Sequence, residues 1–141
     1  MKRILIYGLP VLLLAASWGA ADAQDPKPAA QGHQIQHDIY ITLKNTSPEA
    51  IAKQLELGKK YLVNHPGEIS FSSGVLAQNL TRHQQVSYLL NDTGFTVAFH
   101  ILFANRQAHD AYQVSDTHVK HFIPESNPNW DKVRVFDTEL Q

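Results

Sequence analysis

Phe95, Val97, Phe99, Ile101 and Phe103 alternate with Thr96, Ala98, His100 and Leu102, and this run constrains the fold more than any other stretch of the chain. Alternation at a period of two is the pattern of a β-strand. Here the second face, with Ala98 and Leu102, is also largely apolar, so both faces of the strand need cover. The chain's own helices can supply one cover. The other has to come from a further surface.

The flanking segments supply partners for that strand. Ile39, Ile41 and Leu43 alternate with Asp38, Tyr40 and Thr42, a half-buried strand with His37 on its apolar face. Ser47-Pro48-Glu49 then starts a helix: the hydroxyl caps free amides, proline suits the first helical position, and the carboxylate meets the positive end of the dipole. Ile51, Leu55 and Leu62 recur at helical spacing until Asn64-His65-Pro66-Gly67 stops it. Ile69, Phe71, Ser73, Val75 and Ala77 form a second strand, with Gly74 expected at a bulge or a close backbone approach. Residues 79–91 read as a polar loop, with His83 in solvent. Asn105 caps a helix through Ala108 and Tyr112, and a short helix or turn covers 117–122 before Pro124, Asn127 and Pro128. Val133, Arg134, Val135, Phe136 and Asp137 read as the closing strand.

The order β-α-β-β-α-β is an α+β arrangement in which a four-stranded antiparallel sheet takes helices on one face. Its other face is left bare. A symmetric homodimer packing sheet on sheet would cover it and place His100 and Leu102 in the dimer interior.

The first residues, MKRILIYGLPVLLLAASWGAADA, have basic Lys2 and Arg3, an apolar run and small residues ending at Ala23. This is the pattern of a cleaved export signal, and the run is too short and interrupted to span a membrane comfortably. Residues 24–36, with two prolines and no apolar period, read as a flexible linker holding an inert His33, and 37–138 as one domain. Removing the first 23 of 141 residues takes the 12 basic and 13 acidic side chains to 10 and 12. A scattered, slightly acidic balance does not favour nucleic acid, and Lys59-Lys60 reads as a solvated helix face. No membrane contact is expected after cleavage, so the destination is periplasmic or extracellular. The chain has no cysteine, which excludes disulfides, a lipoprotein anchor and a thiol nucleophile.

The chemistry-bearing residues concentrate at 103–122. Tyr112 and His118 follow the central strand, and with His37 they would converge beneath the sheet. An imidazole titrates near neutrality and can act as general base, while a phenol can donate to a developing oxyanion. The structural alternative has His37 and His118 bonding backbone or each other, with Tyr112 filling the core and its hydroxyl anchored. His118 and His121 stand three apart, and with His37 or Asp116 would be the candidate ligands for a transition metal. No 2-His-1-carboxylate spacing is legible, so no metal or cofactor is expected. His109 is expected in solvent. Phosphate-binding loops and Gly-x-Ser-x-Gly are absent, and Asn45, Asn79 and Asn91, although in glycosylation sequons, read as turn and cap residues.

Taken together, His37-Asp38-Ile39 opening the first strand, Pro66-Gly67 before the second, the Phe103, Ala108, Tyr112, His118 spacing and the closing strand at 133–137 resemble the stress-responsive A/B barrel (Dabb) family of dimeric α+β barrels. The resemblance implies a ferredoxin-like protomer that dimerises through its sheet, with a cavity between sheet and helices. A plant polyketide cyclase of this type uses a tyrosine and a histidine for acid/base work, which would fall on Tyr112 and His118. Two further histidines of that pattern are replaced here by Val97 and Ser115, which puts polyketide cyclisation in doubt. The expected function is an exported homodimeric module that binds a small hydrophobic ligand or serves a stress response. The alternatives are a cofactor-independent cyclase or lyase using Tyr112, His118 and His37, and, by fold analogy alone, a haem-dependent or cofactor-free monooxygenase.

Overall fold

The computed structural model describes residues 32–78 and 92–141. The expected export signal, most of the linker, and the 79–91 segment with His83 lie outside the described residues. Four strands, β1 (Ile35–Leu43), β2 (Glu68–Val75), β3 (Val97–Phe103) and β4 (Trp130–Glu139), form one sheet in the order β2-β3-β1-β4, with every neighbouring pair antiparallel. Helices α1 (Pro48–Tyr61), α2 (Arg106–Gln113) and the short α3 (Ile123–Ser126) lie on one face, and a π-helical turn, Thr117–Phe122, joins α2 to α3. This is the ferredoxin-like α+β fold expected from the element order. No described helix is long and apolar enough to cross a membrane.

The apolar alternation of β1 and β3 is what builds the core. Ile35, His37, Ile39, Ile41 and Leu43 all point to the helix face and are buried, each opposite a β3 residue from Val97 to Phe103 or its flank. Ile35 is 4% exposed and pairs with both Phe103 and Glu139, so β1 begins two residues before the strand start expected at His37. His33 also departs from an inert linker, since its Nδ1 bonds the Leu140 carbonyl at 3.0 Å.

Two glycines set the distance between the layers. A Cβ on Gly58 of α1 would come within 2.2 Å of the Phe99 ring, so the missing side chain lets the helix sit down on β3. Gly67, at φ +80°, takes a left-handed turn before β2, and a Cβ there would meet the Ala108 Cβ of α2 at 2.5 Å. The Pro66-Gly67 pair is therefore part of the packing of α2 as well as a helix stop. The buried stripe of α1 contains Gln54, Leu57 and Gly58, with Ile51 and Leu55 packed at its margin. Gln54 can be buried because its amide donates to the Ser126 hydroxyl.

Gly74 marks neither of the expected features, a bulge or a close backbone approach, since a Cβ there would meet no described atom within 4 Å. Gly74 pairs regularly with Ala98, and the ladder slips instead between Glu68 and Ser70, where the half-exposed Ile69 is the extra residue.

The far face of the sheet carries Tyr40, with Phe95, His100 and Phe136 around it at ring distances of 5.0, 5.7 and 5.9 Å. His100 Nδ1 meets Asp38 Oδ1 at 2.7 Å, and Phe136 is 53% exposed. This face is mixed, with the aromatic group around Tyr40 set among Gln36, Asp38, Thr42 and Arg134, and none of the described helices covers it.

Candidate functional site

Three elements converge under one end of the sheet. His37 of β1 stands directly opposite Asp137 of β4, and its Nδ1 donates to Asp137 Oδ1 at 2.5 Å. Asn105 caps α2 through the Ala108 amide, which fixes the helix so that Tyr112 points into the core, 2% exposed. The π-helical turn then brings His118 back over the phenol.

Tyr112 is the centre of the cluster. His118 stacks on it at 4.6 Å, His65 meets it edge-on at 4.9 Å, and Phe103 and His37 lie at 5.1 and 5.5 Å. Its hydroxyl is buried and finds no hydrogen-bond partner among the described residues. An orphan of this kind costs about 1–3 kcal/mol, so it is not an ordinary core feature. Burial, with smaller contributions from Asp137 and Glu68, pushes the phenol well above its usual range, and it keeps its proton at any ordinary pH.

The imidazoles are held in defined forms. His118 Nδ1 lies 3.1 Å from the Gln113 carbonyl, which can only accept, so Nδ1 carries the proton and Nε2 the lone pair. By the same logic His65 donates from Nε2 to the Tyr61 carbonyl at 2.9 Å. Burial holds His118 below its ordinary pKa despite the Gln113 bond, and holds His37 below its own despite the facing Asp137. Both are neutral bases at pH 7.

His37, Tyr112 and His118, the three residues singled out from sequence, are thus brought together. Two details differ from expectation. His37 bonds a carboxylate rather than backbone or His118, and the Tyr112 hydroxyl is not anchored. The pairing of His118 with His121 as metal ligands is not assembled: His121 is exposed and stacked on Tyr61, and Asp116 is bonded to Lys120.

Sequence reasoning missed His65, His109 and Asp137. His109 was expected in solvent, yet its side chain is only 12% exposed and packs at 5.2 Å from His37. The signal was available, because residues three apart on a helix share a face and His109 precedes Tyr112 by three. A polar cleft of about 270 Å³ opens beside this group, bounded by Ile35, Arg106, His109, Asp110, Asp137 and Glu139.

Residues 35–140 match the family model described as the Stress Responsive A/B Barrel Domain. The chain belongs to the stress responsive A/B barrel domain family. The match begins at the first residue of β1 and runs one residue past β4, so every element around Tyr112 lies inside the A/B barrel domain. No curated protein matches the chain. Solved structures similar to this A/B barrel domain include a dimeric ferredoxin-like protein of unknown function from Thermobifida fusca, 15% identical, covering 83% of this chain and 100% of that one with a TM-score of 0.61. A Dabb family protein with a ferredoxin-like fold from Mesorhizobium loti is 22% identical, with coverages of 77% and 98% and a TM-score of 0.60. A hydroxynitrile lyase from Passiflora edulis is 16% identical, with coverages of 77% and 94% and a TM-score of 0.58. At these identities the structures establish the shared fold.

Proposed function

We propose that this chain is an exported, homodimeric binding module for a small, largely apolar molecule that carries one hydrogen-bond acceptor. The observation that carries the reading is the Tyr112 hydroxyl, buried among aromatic and imidazole rings with its proton in place and no acceptor for it among the described residues. A guest whose oxygen or nitrogen accepts that proton relieves the orphan, and its apolar body suits the surrounding Phe103, Phe122 and ring faces. Admission requires the cover over Tyr112 to part. The π-helical turn that carries His118 is a suitable place, since such distortions of helical winding recur at functional sites.

Dimerisation is supported by the bare aromatic face around Tyr40 and Phe136, and by the Thermobifida fusca relative described as dimeric. Export is supported by the pattern of residues 1–23 alone.

A second reading, a cofactor-independent lyase, is favoured by the neutral His118 base stacked on the protonated phenol, and by likeness to the Passiflora edulis hydroxynitrile lyase. In that chemistry a base takes the hydroxyl proton of a hydroxynitrile, the bond to the nitrile carbon breaks, and the departing cyanide is protonated. The sealed position of Tyr112 weighs against rapid turnover.

Benzaldehyde, a planar ring with a single acceptor, separates these readings from a purely structural role. Titration followed by NMR should shift the Tyr112 and His118 ring signals with one molecule bound per chain; unshifted rings at millimolar benzaldehyde would contradict a binding function. Release of cyanide from mandelonitrile, lost in His118→Ala, would move the conclusion to the lyase.

A further inference from the structure

We infer that His37, His109 and Asp137 form a binding site for one divalent first-row transition ion of the zinc type. The three come from β1, α2 and β4, and one ligand atom from each lies within 4.8 Å of the other two. Two imidazoles and one carboxylate are a donor set for zinc and its neighbours and a poor one for magnesium or calcium, which take oxygen. The site lies beyond the small-ligand reading. It shares only His37 with it, and makes no use of the Tyr112 hydroxyl.

The geometry is close to what such an ion needs. Two ligands held at about 2.1 Å on a tetrahedral ion stand about 3.4 Å apart, and His109 Nε2 lies 3.4 Å from Asp137 Oδ1. His37 Nδ1 and Asp137 Oδ1, at 2.5 Å, have to open by about 1 Å. Asp137 can supply that movement, since it sits on an edge strand with its side chain 47% exposed, whereas His37 is fixed in the core. His37 then meets the ion with Nδ1, its proton having moved to Nε2.

The surroundings support ligation by His109 in particular. Its Nδ1 donates to Asp110 Oδ1 at 2.9 Å, which leaves the lone pair on Nε2, the nitrogen that faces Asp137. A carboxylate behind a ligating histidine is the usual orienting partner at zinc sites. Gln113, whose amide donates to the same Nε2 at 3.1 Å, has to swing aside. The polar cleft bounded by Arg106, His109, Asp110 and Asp137 gives an ion a route from solvent and leaves room for water or a small ligand at a fourth position.

The test is equilibrium dialysis of the purified chain against Zn²⁺, with Co²⁺ absorption as a second readout of a tetrahedral nitrogen and oxygen donor set. One ion per chain is expected with a micromolar dissociation constant. His109→Gln and Asp137→Asn should each weaken it at least 100-fold, and Asp110→Asn about 10-fold. His121→Gln, on the exposed surface, should leave it unchanged. Circular dichroism checks that each variant is folded, and Asp110→Asn keeps all three ligands should another variant fail that check. No binding by the wild-type chain at 100 µM Zn²⁺, on the order of 100 times the expected constant, would overturn the assignment. So would binding that survives His109→Gln and Asp137→Asn, or that disappears in His121→Gln. Tyr112→Phe retains the ion in this account, so a failed small-ligand reading leaves the metal result standing.

Discussion

His37 and Asp137 face each other across β1 and β4 with 2.5 Å between Nδ1 and Oδ1, one side chain 3% exposed and the other 47%. The pair ties a buried imidazole to an edge strand whose other helix-side residues, Val133 and Val135, are substantially open to solvent. Asp137→Asn keeps an acceptor but removes the charge, so the cost should be modest. We expect a loss of about 1 kcal/mol, well below that for removing a fully buried partner. Urea denaturation gives the figure, and a loss near zero would show that the pair contributes nothing to holding β4.

The same burial makes the fold sensitive to acid. His37 and His118 both have folded-state pKa values below the ordinary 6.5, so the unfolded chain binds protons more readily than the folded one. Their contribution is complete above about pH 6.5 and is lost as pH falls through that value toward the lowered folded values. Melting temperature should therefore drop between neutral pH and pH 5. Replacing His118 by Gln should flatten that dependence, and an unchanged profile in this variant would contradict the assignment.

Phe136 tests the uncovered face. It lies beside Tyr40 on the side of the sheet away from the helices, and at 53% exposure it contributes little to the protomer's own core. Phe136→Glu should convert a dimer into a folded monomer on size exclusion with light scattering, with circular dichroism unchanged. A wild-type chain that is monomeric at micromolar concentration would refute sheet-on-sheet dimerisation.

Gly67→Ala should destabilise by more than about 1 kcal/mol, because alanine is strained at φ +80° and its Cβ would meet Ala108 at 2.5 Å. Adding Ala108→Gly should recover the steric part and leave the backbone part. Equal loss in the single and double variants would mean that the contact with α2 carries no cost.

The strands were legible because Phe99 and Ile39 sit in uninterrupted alternation, and α1 and α2 because Ser47 and Asn105 are effective caps whose side chains do accept the expected amides. The bulge was misplaced because glycine is only one way to relax a ladder, and here Ile69 is pushed out instead. Tyr112, His118 and His37 were found from their order along the chain. His65 was read only as part of a helix stop, and Asp137 only as the end of a strand. Their places beside the phenol depend on long-range register, such as His37 opposite Asp137 a hundred residues away, which local periodicity does not encode.

The central claim rests on a single oxygen, and Tyr112→Phe removes only that atom. Deleting a buried hydroxyl that has no partner among the described residues should leave stability unchanged or raise it by up to about 1 kcal/mol. Benzaldehyde affinity, measured by NMR titration of the wild-type chain and the variant side by side, should fall at least tenfold, or about 1.4 kcal/mol. Equal affinity in the two proteins, with the variant as stable as the wild type, would contradict the claim that Tyr112 is where this domain receives its ligand.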